Sequence, residues 1–217
     1  MQLLIHLATR LTGEAPPLSG IDRLALLVSG AGSPFLTPLY TVCAVIWPLA
    51  ADHRQFIVWS GMIAIFFIGV GLAYVVVQVF RGRISDVHVS QQSQRHMPFT
   101  VAVSSSAVGA VILWWIDAPW PLVALGSSFA ILGLCFGVLT VYKKISMHVA
   151  VSASCLTALI LLFGWVAVPF IGFLPIQAWA RIYRRRHTPG QVVAGALLAP
   201  PLTLLTLIPW RVSGLVG

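Results

Sequence analysis

Apolar residues run through this chain in long blocks with short polar breaks between them, and most blocks have the length of a membrane crossing. A hydrocarbon core of about 30 Å needs about 20 apolar residues as α-helix. Residues 33–50 form a first block, reaching back toward Leu24, and 51–54 are a short polar turn. Residues 56–80 form the clearest block and end at a polar loop, 81–97. The third block is 99–116, followed by a tight turn at 117–121. The fourth is 120–142, closed by Lys143 and Lys144, and a last block runs from about Gly190 to Trp210.

Residues 149–180 are apolar throughout, too long for one ordinary span and short for two. Gly164, Trp165 and Pro169 stand near the middle. A single span puts His148 and His187 on opposite faces. A hairpin of two short helices turning near Gly164 puts them on the same face, recruiting 145–148 at one end and 181–185 at the other, where basic side chains snorkel to the interface. The hairpin is the expected form. The predicted fold class is therefore all-α, a polytopic transmembrane helix bundle of six to seven spans in one integral membrane domain, 1–217. At the N-terminus, Leu3, Leu4, Leu7 and Leu11 share one helical face without a basic start or a small-residue cleavage site. This predicts a short interfacial helix within 1–20 and not a signal peptide, broken by the stretch 13–20.

Composition agrees: 59% of residues are hydrophobic and 8% charged, against about half and a quarter in a soluble domain. Cys43, Cys135 and Cys155 are odd in number and lie in apolar blocks, so they read as small hydrophobes and not as a disulfide framework or metal site. Charge orients the bundle. With the hairpin in place, all of the 13 lysines and arginines except Arg54 and Arg211 fall on one side, which the positive-inside rule makes cytoplasmic. The expected location is the plasma (inner) membrane. Trp114, Trp115, Trp120 and Trp210 are placed for the interface, and Ser104–Ser106 for helix packing.

Three polar pieces on that basic side carry a pattern. Arg95 lies in "SQRHMPF", Ser146 and His148 lie in "KKISMHVAVSAS", and Arg181, His187 and Gln191 lie in "ARIYRRRHTPGQ". In this order they resemble the type-2 phosphatidic acid phosphatase family, the lipid phosphate phosphatases, whose motifs are K-x6-R-P, P-S-G-H and S-R-x5-H-x3-D. The resemblance covers roughly 81–198, a phosphatase-like core. It implies that His187 is a nucleophile forming a phosphohistidine and that His148 is the general acid. It also implies that Arg95, Arg181 and Ser146 hold the phosphoryl oxygens. Phosphoryl transfer asks mainly for positioning and for charge facing the equatorial oxygens, and guanidinium forks suit that task. The chain departs from the motifs at named places. His88 stands for the lysine, His96 for the proline, Met147 for the glycine, Ala180 for the serine and Gln191 for the acid. Gln191 can fix the imidazole tautomer but cannot stabilise an imidazolium by charge. Asp86, the one acid in the loops of that side after the second span, is the candidate substitute, with His88 as a further auxiliary.

The H-x7-H pair of His88 and His96 is a weak metal signal, and neither metal nor cofactor is expected. Arg184, Arg185 and Arg186 are expected to anchor to anionic headgroups. The expected activity is hydrolysis of an isoprenyl diphosphate or phosphatidic acid type of lipid. The expected partners are membrane lipids and a lipid phosphate substrate, and not nucleic acid. The alternative is a non-catalytic protein on the same scaffold, binding lipid or serving as a subunit of a larger membrane complex.

Overall fold

A computed structural model describes residues 19–212, and the regular structure there is helical. The interfacial helix expected within 1–20 falls almost wholly outside the described residues. The helices are α1 (Gly20–Ala31), α2 (Leu36–Leu49), α3 (His53–Phe80), α4 (His96–Trp115), α5 (Trp120–Tyr142), α6 (Met147–Phe163), α7 (Phe173–Tyr183) and α8 (Pro189–Val212). Local chemistry sets several boundaries. Ser19 and Asp22 form a reciprocal capping box at the start of α1, and Asp52 accepts from the Gln55 amide at 2.7 Å to start α3. Pro98 is tolerated in the first turn of α4, where its missing N–H costs no helix bond, so α4 begins at His96, ahead of the expected start.

Five unbroken stretches are long and apolar enough to cross a membrane, and α1 with α2 makes a sixth, bent by 51°. Residues 147–183 are one such stretch by length, yet they fold back on themselves. Gly164 has φ +64° and ψ −136°, a region open to glycine and closed to side chains. About nine turns of straight helix would separate His148 from Arg181 by about 50 Å, but both line one pocket. A 3-10 segment, Gly164–Gly172, carries the chain over, and α7 returns beside α6. Far from that pocket, Ile46 of α2, Ile63 of α3, Leu113 of α4, Leu122 of α5, Ala158 of α6 and Leu207 of α8 meet in one buried cluster. The loops 81–95, 143–146 and 184–188 therefore share the opposite, basic end. By passes, the described residues run between the two ends seven times: α2, α3, α4, α5, α6, the 164–183 arm and α8.

Small residues let these helices approach. A Cβ on Gly195 of α8 would stand 2.9 Å from the Ser146 carbonyl, so α8 touches the backbone at the start of α6. Ser105 donates to the Phe66 carbonyl across α4 and α3, and Ser128 meets Thr206 across α5 and α8. Trp47, Trp114, Trp115 and Trp165 lie outward at the end away from the pocket, as membrane-interface aromatics do.

Candidate active site

The site is assembled from four segments at the basic end. The loop before α4 is built around Asp86, which is buried and accepts from the Ser85 hydroxyl, the His88 amide, the Ser90 amide and the Ser90 hydroxyl at 2.9 to 3.3 Å. Asp86 thus organises its own loop. Val89 there has φ +46°, unusual for a β-branched residue. Its carbonyl accepts from Arg95 Nε at 2.9 Å, and Thr140 Oγ1 of α5 accepts from Arg95 Nη1 at 2.9 Å. These bonds use two of the five guanidinium N–H groups and leave the plane of the fork fixed.

Arg181, in the last turn of α7, is buried and donates to Ser29 Oγ of α1. One turn earlier, the Gln177 side-chain amide donates to the Gly32 carbonyl, and a Cβ on Gly32 would collide with that amide. The end of α1 is thereby docked on α7, which holds Arg181 in place.

His148 is the second residue of α6. Its ring stands edge-on to His88 with centroids 5.0 Å apart, and its buried Nε2 has no hydrogen-bond partner among the described residues. His187 lies in the α7–α8 loop. Its Nδ1 is 3.0 Å from Gln191 Oε1, which also accepts from the Thr188 amide at 3.3 Å. The Thr188 contact identifies the Gln191 atom as the acceptor, so Nδ1 carries the proton and the Nε2 lone pair is the free one. The Ser146 amide donates to the Gln191 carbonyl at 3.1 Å, tying this loop to the start of α6.

His88, Arg95, His148, Arg181 and His187 line one polar pocket of about 30 Å³, with Lys144, Arg186 and Met147 also on its wall. Ser146 is wholly buried, is not on that wall, and its Oγ has no partner among the described residues. Burial, above all, pushes His187 down to about 4; the Gln191 contact opposes this, and the nearby Arg181, Lys144 and Arg95 charges reinforce it. Burial also lowers Lys144, helped by Arg95 and Arg186, and lowers Arg95 against the pull of Asp86. The helices α4, α6 and α8 all begin at this end, so their positive dipole ends add to the field.

An apolar cavity of about 210 Å³ adjoins the polar pocket, and Pro34, His88, Arg95 and Met147 line both. The structure therefore brings His187, His148, Arg95, Arg181 and His88 together, places Gln191 on His187, and keeps Asp86 within its own loop and Ser146 behind the wall. Sequence reasoning missed Lys144, assigned Arg186 to lipid anchoring, and missed Ser29 and Thr140, which position the two arginines. Lys144 was findable, two residues before Ser146. Ser29 and Thr140 carry no sequence signal. No protein-family model, curated protein or solved structure matches this chain.

Proposed function

We propose that this integral membrane protein is a phosphatase that hydrolyses a lipid phosphate or diphosphate through a phosphohistidine. The observation that carries the reading is the convergence of His148, His187, Arg95 and Arg181, from four separate segments, on one pocket beside an apolar cavity. His187 Nε2 attacks phosphorus, forming an N–P bond as the P–O bond to the lipid breaks. His148 gives its proton to the departing oxygen. Water then attacks the phosphohistidine with His148 as base, releasing phosphate and restoring both rings. Arg95, Arg181 and Lys144 face the equatorial oxygens throughout. Gln191 acts through His187, holding its tautomer. The basic loops support a cytoplasmic orientation of this face by the positive-inside rule, and the proposed location is the plasma (inner) membrane.

One observation favours a non-catalytic lipid binder or complex subunit. The pocket of about 30 Å³ holds about two waters, and Met147 occupies wall that a glycine would leave open. Under the phosphatase reading Met147, a flexible side chain, swings aside when phosphate enters. The deciding experiment is phosphate release by purified protein in metal-free detergent, from isoprenyl monophosphates and diphosphates and phosphatidic acid, beside His187→Ala. Release by wild type alone is expected. No release above His187→Ala from folded protein overturns the enzyme in favour of the binder.

A further inference from the structure

Hydrolysis of phosphate does not by itself require the apolar cavity. The cavity is walled by five helices, with Pro38 of α2, Gly71 of α3, Ala102 of α4, Gly133 of α5 and Val151 of α6 facing it. It runs along α6 from Met147 to Ser154, a depth of about 11 Å at the helical rise. Its inner end carries Phe67, which sits on the π-helical turn Ala64–Gly69 of α3. That turn shifts the register of α3 and lays the Phe67 ring over Gly109 of α4 and Gly126 of α5. A Cβ at either glycine would stand 2.8 Å from the ring. Phe129 meets the same ring at 6.1 Å. Phe67 is therefore a fixed floor. Pro34, His88, Arg95 and Met147 form the neck where the cavity meets the polar pocket.

Volume limits what can lie there. An engineered apolar cavity of about 150 Å³ holds one benzene. On that scale the 210 Å³ inside this half-open cavity takes about eight carbons, which is a segment of one chain. The neck joins the phosphate site to this cavity through four shared residues, whereas a second apolar pocket of about 560 Å³ meets the phosphate site only at Lys144. We propose that the cavity seats the first carbons of a single hydrocarbon chain joined directly to the phosphate. The protein then takes single-chain phosphates and discriminates against two-chain glycerophosphates, with Phe67 setting the depth. This deepens the phosphatase reading and rests on it for what fills the polar pocket.

The test uses full-length protein in detergent and an alkyl phosphonate of eight carbons with a terminal diazirine, which cannot be hydrolysed. Photolysis is expected to mark peptides containing residues 99–106 and 129–136. Dodecyl phosphate should suppress labelling at a concentration at least tenfold below that needed of dioleoyl phosphatidic acid. Phe67→Ala should transfer efficient labelling of this inner end to a twelve-carbon probe, and Phe67→Leu, which keeps most of the side-chain volume, should do so in part. Labelling elsewhere, equal competition by the two-chain lipid, or an unchanged chain-length profile in both folded variants overturns the proposal. Hydrolysis of farnesyl phosphate and dioleoyl phosphatidic acid is measured on the same protein. Cavity labelling without any hydrolysis removes the phosphatase reading and leaves a single-chain phosphate site; equal hydrolysis of both substrates keeps the phosphatase and removes the selectivity.

Discussion

His187 is oriented by an uncharged partner, the Gln191 side chain. The Gln191 oxygen fixes the proton on Nδ1, and burial, at about pKa 4, keeps the ring unprotonated at neutral pH. Removing the amide in Gln191→Ala should lower kcat by about 10- to 100-fold with little change in KM, the usual cost of losing a residue that orients another. Gln191→Glu sets a carboxylate beside the ring and should raise the His187 pKa, moving the acid limb of kcat/KM toward neutral pH; nitrogen NMR of the labelled ring reads the same shift. The depressed pKa also acts on stability. Between the ordinary value of 6.5 and about 4 the unfolded chain takes up a proton at His187 that the folded chain refuses. Stability therefore falls as pH falls through that window. The detergent-solubilised protein should lose Tm between pH 7 and 4.5, and His187→Gln should lose less. Unchanged Tm differences between the two proteins would remove this account.

At the scale of elements, the site depends on α8 lying against the start of α6. Gly195 makes that approach, and Ser146 and Gln191 are joined by a backbone bond at the same place. Gly195→Leu should force the helices apart at a cost of roughly 1–3 kcal/mol, the range for overpacking, and should carry the His187 loop away from His148. Thermal unfolding measures the first effect. Loss of activity beyond that of an equally destabilising substitution at the distant Leu207 position measures the second. The hairpin is the other decisive element. Its turn was legible because Gly164, Trp165 and Pro169 interrupt an apolar run of awkward length. The division of the first block into α1 and α2 has local causes, Gly32, Pro34 and the Ser33 hydroxyl that accepts from the Leu36 amide, but the docking of Gly32 on Gln177 was not legible, because the two are far apart in sequence.

At the scale of the whole molecule, the seven passes of the described residues put the basic loops and the pocket at one end and a tryptophan-bearing surface at the other. Cysteines introduced at Arg185, which is exposed at the site end, and at Asp52, at the opposite end, should react with an impermeant thiol reagent from opposite sides of sealed vesicles. Arg185→Cys is expected to react from the cytoplasmic side. Reaction of both from the same side would contradict the path of the chain, and reaction of Arg185→Cys from outside would reverse the proposed orientation while leaving the fold intact.

The membrane bundle, most span positions and the list of polar residues worth watching followed from the sequence, because burial in lipid imposes length and hydropathy on every segment independently. That the basic loops share one end followed from the parity of the passes. The tertiary structure alone decided what those residues do to one another. It gave Asp86 to its own loop, gave Arg95 to Thr140 and Arg181 to Ser29, brought Lys144 and Arg186 to the pocket wall, and left Ser146 behind it. It also opened the cavity over Phe67. Such pairings join residues far apart in the chain, and a hydrogen bond or a cavity exists only where packing has set the distance.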